Sequence, residues 1–310
     1  MDAPDLSPWG MTSRAPAIGP PHGTNNTVRL VAAGGIDYVW RRCDNLDAGQ
    51  VRREQRLLEW LSRQGLDFKV PLALPTTDGA CFAVDGSAPV TLHRLIPGRK
   101  PSRGIHEIEA VARAFGQLWA TLASAPRGLG VHDWDGRSIV STHEHAGNLA
   151  DVVASAQREV DTSWFVRQME LDEHLTDALA ALPGQVTHGD VATSNALIND
   201  GVITGLLDFE IAGWDARVND VVTGLCTCVD DPWEDGFEAQ KQAFVTAFDT
   251  ADQLRDDELA LVPELVMRRC AGSVIWRIGR WRQGLDPWSA VLNRMADGAT
   301  RARHRSAYRI

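Results

Sequence analysis

The sequence predicts an α+β fold in two lobes, and three observations carry that prediction. Two short β-prone runs joined by Gly34-Gly35 lie near the start of the chain. The breaker Pro97-Gly98 interrupts it. Beyond about residue 105, apolar positions recur at helical spacing. A β-rich front, a break and a helix-rich back place the lobe boundary near 95–100, dividing the chain into residues 1–96 and 97–310.

Taken in order, residues 1–22 are rich in Pro, Gly and Ala and read as a loose lead-in. Thr27–Ala32 and Ile36–Cys43 are the two β-like runs, and Gly-Gly between them is a hairpin signal. A helix from about Asp47 to Gln64 is closed by Gly65. Residues 70–96 are again strand-like, broken by Pro75, Asp78-Gly79 and Pro89. Ile108, Val111, Phe115, Leu118, Trp119 and Leu122 then mark one helix face. Residues 145–182 read as two more helices. Ala196-Leu197-Ile198 and Val202–Leu207 form a hairpin about Asn199-Asp200-Gly201, and helices run on to the C-terminus. No internal repeat is present.

With 310 residues and 44% apolar content, the chain is long enough for sizeable cores. No run of eighteen apolar residues exists, and Asp2 and Asp5 replace the basic-plus-apolar pattern of a signal peptide, so a cytoplasmic protein is expected. The five cysteines (43, 81, 226, 228 and 270) are odd in number and form no framework; they read as reduced structural thiols. The net charge of −10 disfavours nucleic acid and anionic membranes as partners and weakly favours a cationic substrate. Lysine occurs only at 69, 100 and 241.

The densest chemistry lies in His188-Gly189-Asp190-Val191-Ala192-Thr193-Ser194-Asn195, followed by Asp208-Phe209-Glu210. Phosphoryl transfer from a Mg-nucleotide needs an Asp to take or orient the proton of an attacking hydroxyl. It also needs an Asn and a second Asp as hard oxygen ligands for Mg²⁺. The first hairpin strand begins after Asn195 and the second ends at Asp208, so antiparallel pairing returns Asp208 to Asn195.

HGDVATSN…LLDFEIAGW resembles the catalytic segment of the aminoglycoside phosphotransferase and choline kinase superfamily, small-molecule kinases with a protein-kinase-like fold. The resemblance implies that Asp190 is the catalytic base and that Asn195 and Asp208 bind Mg²⁺. It implies that Asp220, in Arg217-Val218-Asn219-Asp220, steadies the catalytic loop, and that His188 braces it. Gly23-Thr24-Asn25-Asn26, just before a strand, resembles the family's phosphate-binding turn.

Where such a kinase carries a strand lysine, this chain offers Arg41, on the same face as Val39, which is expected against the adenine ring. Arg42 points to the other face. Val51, Glu54, Leu58 and Leu61 form one helical stripe, so Glu54 sits within an apolar face. A carboxylate there is costly unless a cation answers it, and Arg41 is the candidate. His93 and Leu95, before Pro97-Gly98, fall at the hinge where a nucleotide base meets backbone groups. ATP is the expected nucleotide, with GTP not excluded.

Eleven residues separate Asp208 from Asp220, too few for the long activation segment of a protein kinase. A small-molecule hydroxyl is therefore the expected acceptor. Asp230, Asp231, Glu234 and Asp235 suit the amino groups of an aminoglycoside-like or other natural-product antibiotic, which would make the protein an antibiotic-resistance enzyme. Arg268-Arg269, Trp276-Arg277 and Arg280-Trp281-Arg282 suit a carboxylate, a phosphate or a ring. They point to homoserine or a nucleoside-type metabolite, with choline a further small-molecule alternative. Two rivals are a nucleotide-binding pseudokinase, suggested by the missing lysine, and a metal-dependent hydrolase built on His188, Asp190 and Asp208.

Overall fold

Antiparallel pairing of four strands, in the order β1-β2-β4-β3, builds the N-terminal sheet of this computed structural model, which describes residues 4–12, 26–248 and 254–310. Strands β1 (Thr27–Ala33) and β2 (Ile36–Arg42) meet at Gly34 and Gly35, whose φ values of 58° and 79° are those a tight hairpin demands. Helix α1 (Ala48–Leu61) starts in a capping box: the Asp47 carboxylate accepts the Gln50 N–H, and the Gln50 side chain accepts the Asp47 N–H.

Residues 70–80 form no strand. Pro71 and Pro75 remove ladder donors, and this stretch joins the sheet chiefly through the Leu74 N–H to Leu92 O, 2.7 Å. Regular pairing resumes in β3 (Ala83–Asp85) and β4 (Ala88–Arg94).

The chain then crosses the later hairpin, β7 (Ala196–Asn199) and β8 (Val202–Leu206). Gly98 is needed at this crossing: its φ is +149°, and a Cβ there would sit 2.8 Å from Thr204 Oγ1 and 3.0 Å from Leu197 Cβ. Helix α2 (Ile105–Leu122) buries all six residues of the anticipated stripe. Helices α3 (Leu149–Ala156) and α4 (Ser163–Ala180) fill the 145–182 stretch. A small sheet in the order β5-β9-β6 joins His132–Asp133, Gly213–Ala216 and Gly184–Thr187. These strands of two to four residues are too short for a period to be read from sequence. Helices α5 (Val218–Thr227), α6 (Phe237–Phe248), α7 (Asp256–Arg282) and α8 (Trp288–Arg303) complete the helical part. No helix among the described residues is long and apolar enough to cross a membrane.

The main core gathers α2, the β7–β8 hairpin and helices α5–α7, and it includes Leu57, Leu58 and Leu61 of α1. The sheet's own core, with Trp9, Tyr38, Trp40 and Leu92, is separate. Helix α1 therefore ties the sheet to the helical part. Phe115 sits in the main core with its ring 5.2 Å from the His188 ring, at the base of the loop that carries Asp190. Phe115→Ala is expected to lower the unfolding free energy by about 3–5 kcal/mol, measured by urea denaturation. A loss below about 1 kcal/mol would mean the loop does not rest on this ring.

Candidate active site

The turn Asp200-Gly201, with φ of 49° and 79°, closes the β7–β8 hairpin and returns the chain to Asn195. The Leu207 N–H donates to Asn195 O at 2.8 Å. Asp208 follows with φ of +67°, a left-handed conformation that Asp tolerates better than most residues and that ends the strand direction here.

Asp190, on the loop after β6, is half-buried and held from two sides. Asn195 Nδ2 donates to its Oδ2 at 2.7 Å and to its carbonyl at 2.9 Å, and Arg269 Nη2 donates to its Oδ1 at 3.3 Å. With the Asn195 amide nitrogen spent on Asp190, its carbonyl oxygen is the group left for a cation.

Two residues fix this loop from behind. Asp220, buried at the start of α5, accepts the N–H of His188 at 2.9 Å and of Gly189 at 2.8 Å. His188 Nδ1 accepts the Asp190 N–H at 3.2 Å, and its Nε2–H donates to Leu207 O at 3.0 Å. Burial lowers the His188 pKa to about 4, so the ring is neutral and both nitrogens are occupied. It ties the Asp190 loop to the Asp208 strand.

On the sheet side, Arg41 lies between two carboxylates, Glu54 Oε1 at 2.8 Å and Glu210 Oε2 at 3.0 Å. Glu54 is fully buried on α1. Arg42 faces the other way, toward Asp44 and Asp85. Glu210, which the sequence reading left without a role, also accepts from Asn26 Nδ2 at 2.6 Å and Asn45 Nδ2 at 3.1 Å. It thus joins the helical part to three residues around the sheet. Gly23, Thr24 and Asn25 of the anticipated phosphate turn lie outside the described residues; Asn26 lies inside the cavity wall.

The cavity these groups share measures about 1210 Å³. Val28, Leu30 and Val39 line one wall, with Leu95, Ile96, Leu197 and Leu207 also contributing. His93 lines it as a buried ring bonded to Thr91 Oγ1 at 2.8 Å. The Leu95 N–H is committed to Asp37 O at 3.1 Å, so Leu95 offers the cavity its side chain and not its amide.

The acidic cluster does not join the cavity wall. Asp230 is taken by Arg103 and Gln240, Asp231 by Arg301, while Glu234 and Asp235 are exposed. The four residues expected to meet the acceptor are thus not brought to the cavity: the loop between α5 and α6 turns them outward or into ion pairs. Trp276 and Arg277 do line the cavity, and Arg277 is paired with Asp286 at 2.7 Å. Sequence reasoning singled out neither Arg269 as a partner of Asp190 nor Lys100 at the cavity mouth; each depends on a contact between distant segments.

Burial and the neighbouring Glu210, Asp190 and Glu54 raise the Asp208 pKa to about 7, with Arg41 opposing. Among the described residues no three His, Cys, Asp or Glu side chains form a metal cluster. One carboxylate and one amide oxygen fit Mg²⁺ instead, a cation that keeps waters and takes its remaining ligands from nucleotide phosphates.

Residues 17–259 match the model of the phosphotransferase enzyme family, and the chain belongs to that family. Among curated proteins homoserine kinases match; that of Methylobacterium nodulans is 24% identical over 73% of this chain and 68% of its own. Among solved structures, an amicoumacin kinase in complex with AMP-PNP, Ca²⁺ and Ami is 16% identical, with a TM-score of 0.67 over 98% of this chain and 90% of that one. APH(2")-IIia in complex with GDP and kanamycin is 13% identical, with a TM-score of 0.68 over 95% and 96%. The protein is a small-molecule kinase with this family's two-lobed α+β fold.

A raised Asp208 pKa has a definite pH consequence. Were Asp208 to ligate a cation, its carboxyl would first have to lose its proton below about pH 7, and Mg²⁺-dependent nucleotide binding would weaken by up to about tenfold per pH unit. The thermal stabilisation given by Mg²⁺ with AMP-PNP should therefore be larger at pH 8 than at pH 6, and Asp208→Asn should remove the difference. Equal shifts at both pH values in the wild type would contradict the assignment.

Proposed function

We propose that the protein transfers the γ-phosphoryl group of Mg²⁺-ATP to the hydroxyl of a small molecule that also carries a carboxylate, a hydroxy amino acid such as homoserine being the best candidate. The observation that carries the acceptor class is the lining of the cavity beyond Asp190. Arg137, Arg268, Arg269, Arg277, Arg294 and Arg301 contribute to it, against Asp135, Asp215 and Asp297. Five of these arginines are answered by carboxylates, Arg268 by Asp172, Arg269 by Asp190, Arg277 by Asp286, Arg294 by Asp297 and Arg301 by Asp231, so the lining is rich in forked donors rather than strongly positive. A carboxylate is matched by these donors. Asp215 and Asn219, bonded to each other at 2.8 Å, supply acceptors for an ammonium group in the same cavity. The homoserine kinases among the relatives support the same choice.

In this reading Asp190 takes the proton of the acceptor hydroxyl, oriented by Asn195 on one oxygen and Arg269 on the other. Asn195 and Asp208 hold Mg²⁺, which when bound neutralises charge on the phosphates. Arg41, fastened by Glu54 and Glu210, faces those phosphates, with Asn26 and the preceding turn on the same side. Val28, Leu30 and Val39 cover one face of the base, and Leu197 and Leu207 the other. His188 and Asp220 hold the loop in register. The intact Asp190, Asn195 and Asp208 set argues against a pseudokinase. His188 has both ring nitrogens engaged within the fold, which leaves a hydrolase without its third ligand.

The test is ADP release in Mg²⁺-ATP with homoserine, a nucleoside, choline and an aminoglycoside as acceptors, with product masses. Homoserine or another hydroxy acid should stimulate release most. Asp190→Ala should lose transfer by about 1000-fold or more while still binding nucleotide. Stimulation by the aminoglycoside alone would overturn the acceptor class, and wild-type turnover in Asp190→Ala would overturn the base.

A further inference from the structure

Lys100 is the one lysine that lines the cavity among the described residues. Lys69 is exposed beside the hairpin, and Lys241 caps the carbonyls of Ala307 and Arg309. The segment that carries Lys100 is pinned on both sides. Before it, Thr204 Oγ1 donates to Pro97 O at 2.6 Å, and Arg99 exchanges two backbone bonds with Ile198, at 3.0 and 2.8 Å. After it, the Ser102 N–H donates to Glu107, which also pairs with Arg99. These contacts aim the Lys100 ammonium at the catalytic loop, where it donates to the carbonyl of Ser194, next to Asn195. Asp208 attracts it electrostatically and opposes the effect of burial on its pKa.

The other cations near the phosphates are committed. Arg41 is shared between Glu54 and Glu210, and Arg269 lies on the acceptor side against Asp190. An incoming triphosphate therefore meets three carboxylates in the cavity wall, Asp190, Asp208 and Glu210, with few mobile positive charges. A flexible ammonium with three donors can leave one on Ser194 and turn the others to a phosphate oxygen.

We propose that Lys100 contacts the γ-phosphoryl group in flight and stabilises its charge. This inference rests on the reading of Asn195 and Asp208 as the Mg²⁺-nucleotide site. As the acceptor oxygen bonds to the γ-phosphorus, the bond from that phosphorus to the bridging oxygen breaks. Its electron pair stays on the β-phosphate of ADP, and the hydroxyl proton goes to Asp190. Lys100 transfers no proton.

The experiment compares wild type with K100M, K100Q and K100R. It measures Mg²⁺-AMP-PNP and Mg²⁺-ADP affinities by calorimetry, and the slow release of ADP from Mg²⁺-ATP with water as acceptor. K100M and K100Q should bind AMP-PNP about tenfold or more weakly with ADP affinity unchanged. Their ADP release should fall about 100-fold. K100R should keep most of both. K100Q retains a donor for Ser194 O, so a lysine that only supports the loop would leave K100Q like wild type, which would overturn the proposal. An equal loss of AMP-PNP and ADP affinity in a folded K100Q would overturn it too. A wild type that binds neither nucleotide with Mg²⁺ would overturn the underlying site as well, so the two failures are distinct.

Discussion

Repulsion among four carboxylates is the constraint around which the site is built. Glu54, Asp190 and Glu210 all act on Asp208 and, with burial, push its pKa to about 7, and Arg41 is the cation that opposes them. Such a cluster is costly without positive charge. In the proposed function, a divalent cation with a nucleotide would replace this repulsion by ligation. The same constraint accounts for the unusual partners of Arg41. A guanidinium can serve two carboxylates from separate nitrogens, and here it binds Glu54 of α1 and Glu210 of the helical part at once. A lysine ammonium has no such fixed fork, so arginine in this position fits the two-sided arrangement.

Rigid elements carry the charges to their places. The β7–β8 hairpin brings Asp208 back beside Asn195. Helix α5 presents Asp220 to two consecutive backbone N–H groups, and His188 bridges the two chemically important strands of chain through both ring nitrogens. Beneath them lie Phe115 and Phe209, whose rings meet the His188 ring edge-on at 5.2 and 4.6 Å. Burial of apolar surface in the main core thereby fixes the geometry of a polar loop. Helix α1 shares that core, so the position of Glu54, and through it Arg41, is coupled to the same packing.

Local signals made much of this legible in the sequence. Gly34-Gly35 and Asp200-Gly201 encode their hairpins through positive φ. The position of Glu54 within an apolar stripe pointed to a buried cation partner, and the two-residue strand period pointed to Arg41. Residues 70–80 misled because β-prone side chains outweighed two prolines in the reading. The partners of Glu210, the bond from Arg269 to Asp190 and the approach of Lys100 to Ser194 join residues 79 to 184 positions apart. No local period encodes such contacts. The acidic cluster after α5 showed charge but not direction, and its ion pairs with Arg103 and Arg301 depend on how distant segments pack.

In the proposed function, Asn195 and Asp208 hold the nucleotide's divalent cation beside Asp190. The most direct measurement is a crystal structure with Mn²⁺ in place of Mg²⁺ and AMP-PNP, with the metal located by anomalous scattering. The expected peak is bound by the Asn195 side-chain oxygen and an Asp208 oxygen at about 2.1–2.2 Å, and it shares phosphate oxygens of the nucleotide. A peak away from these two side chains, or a nucleotide seated outside the cavity, would contradict the proposal.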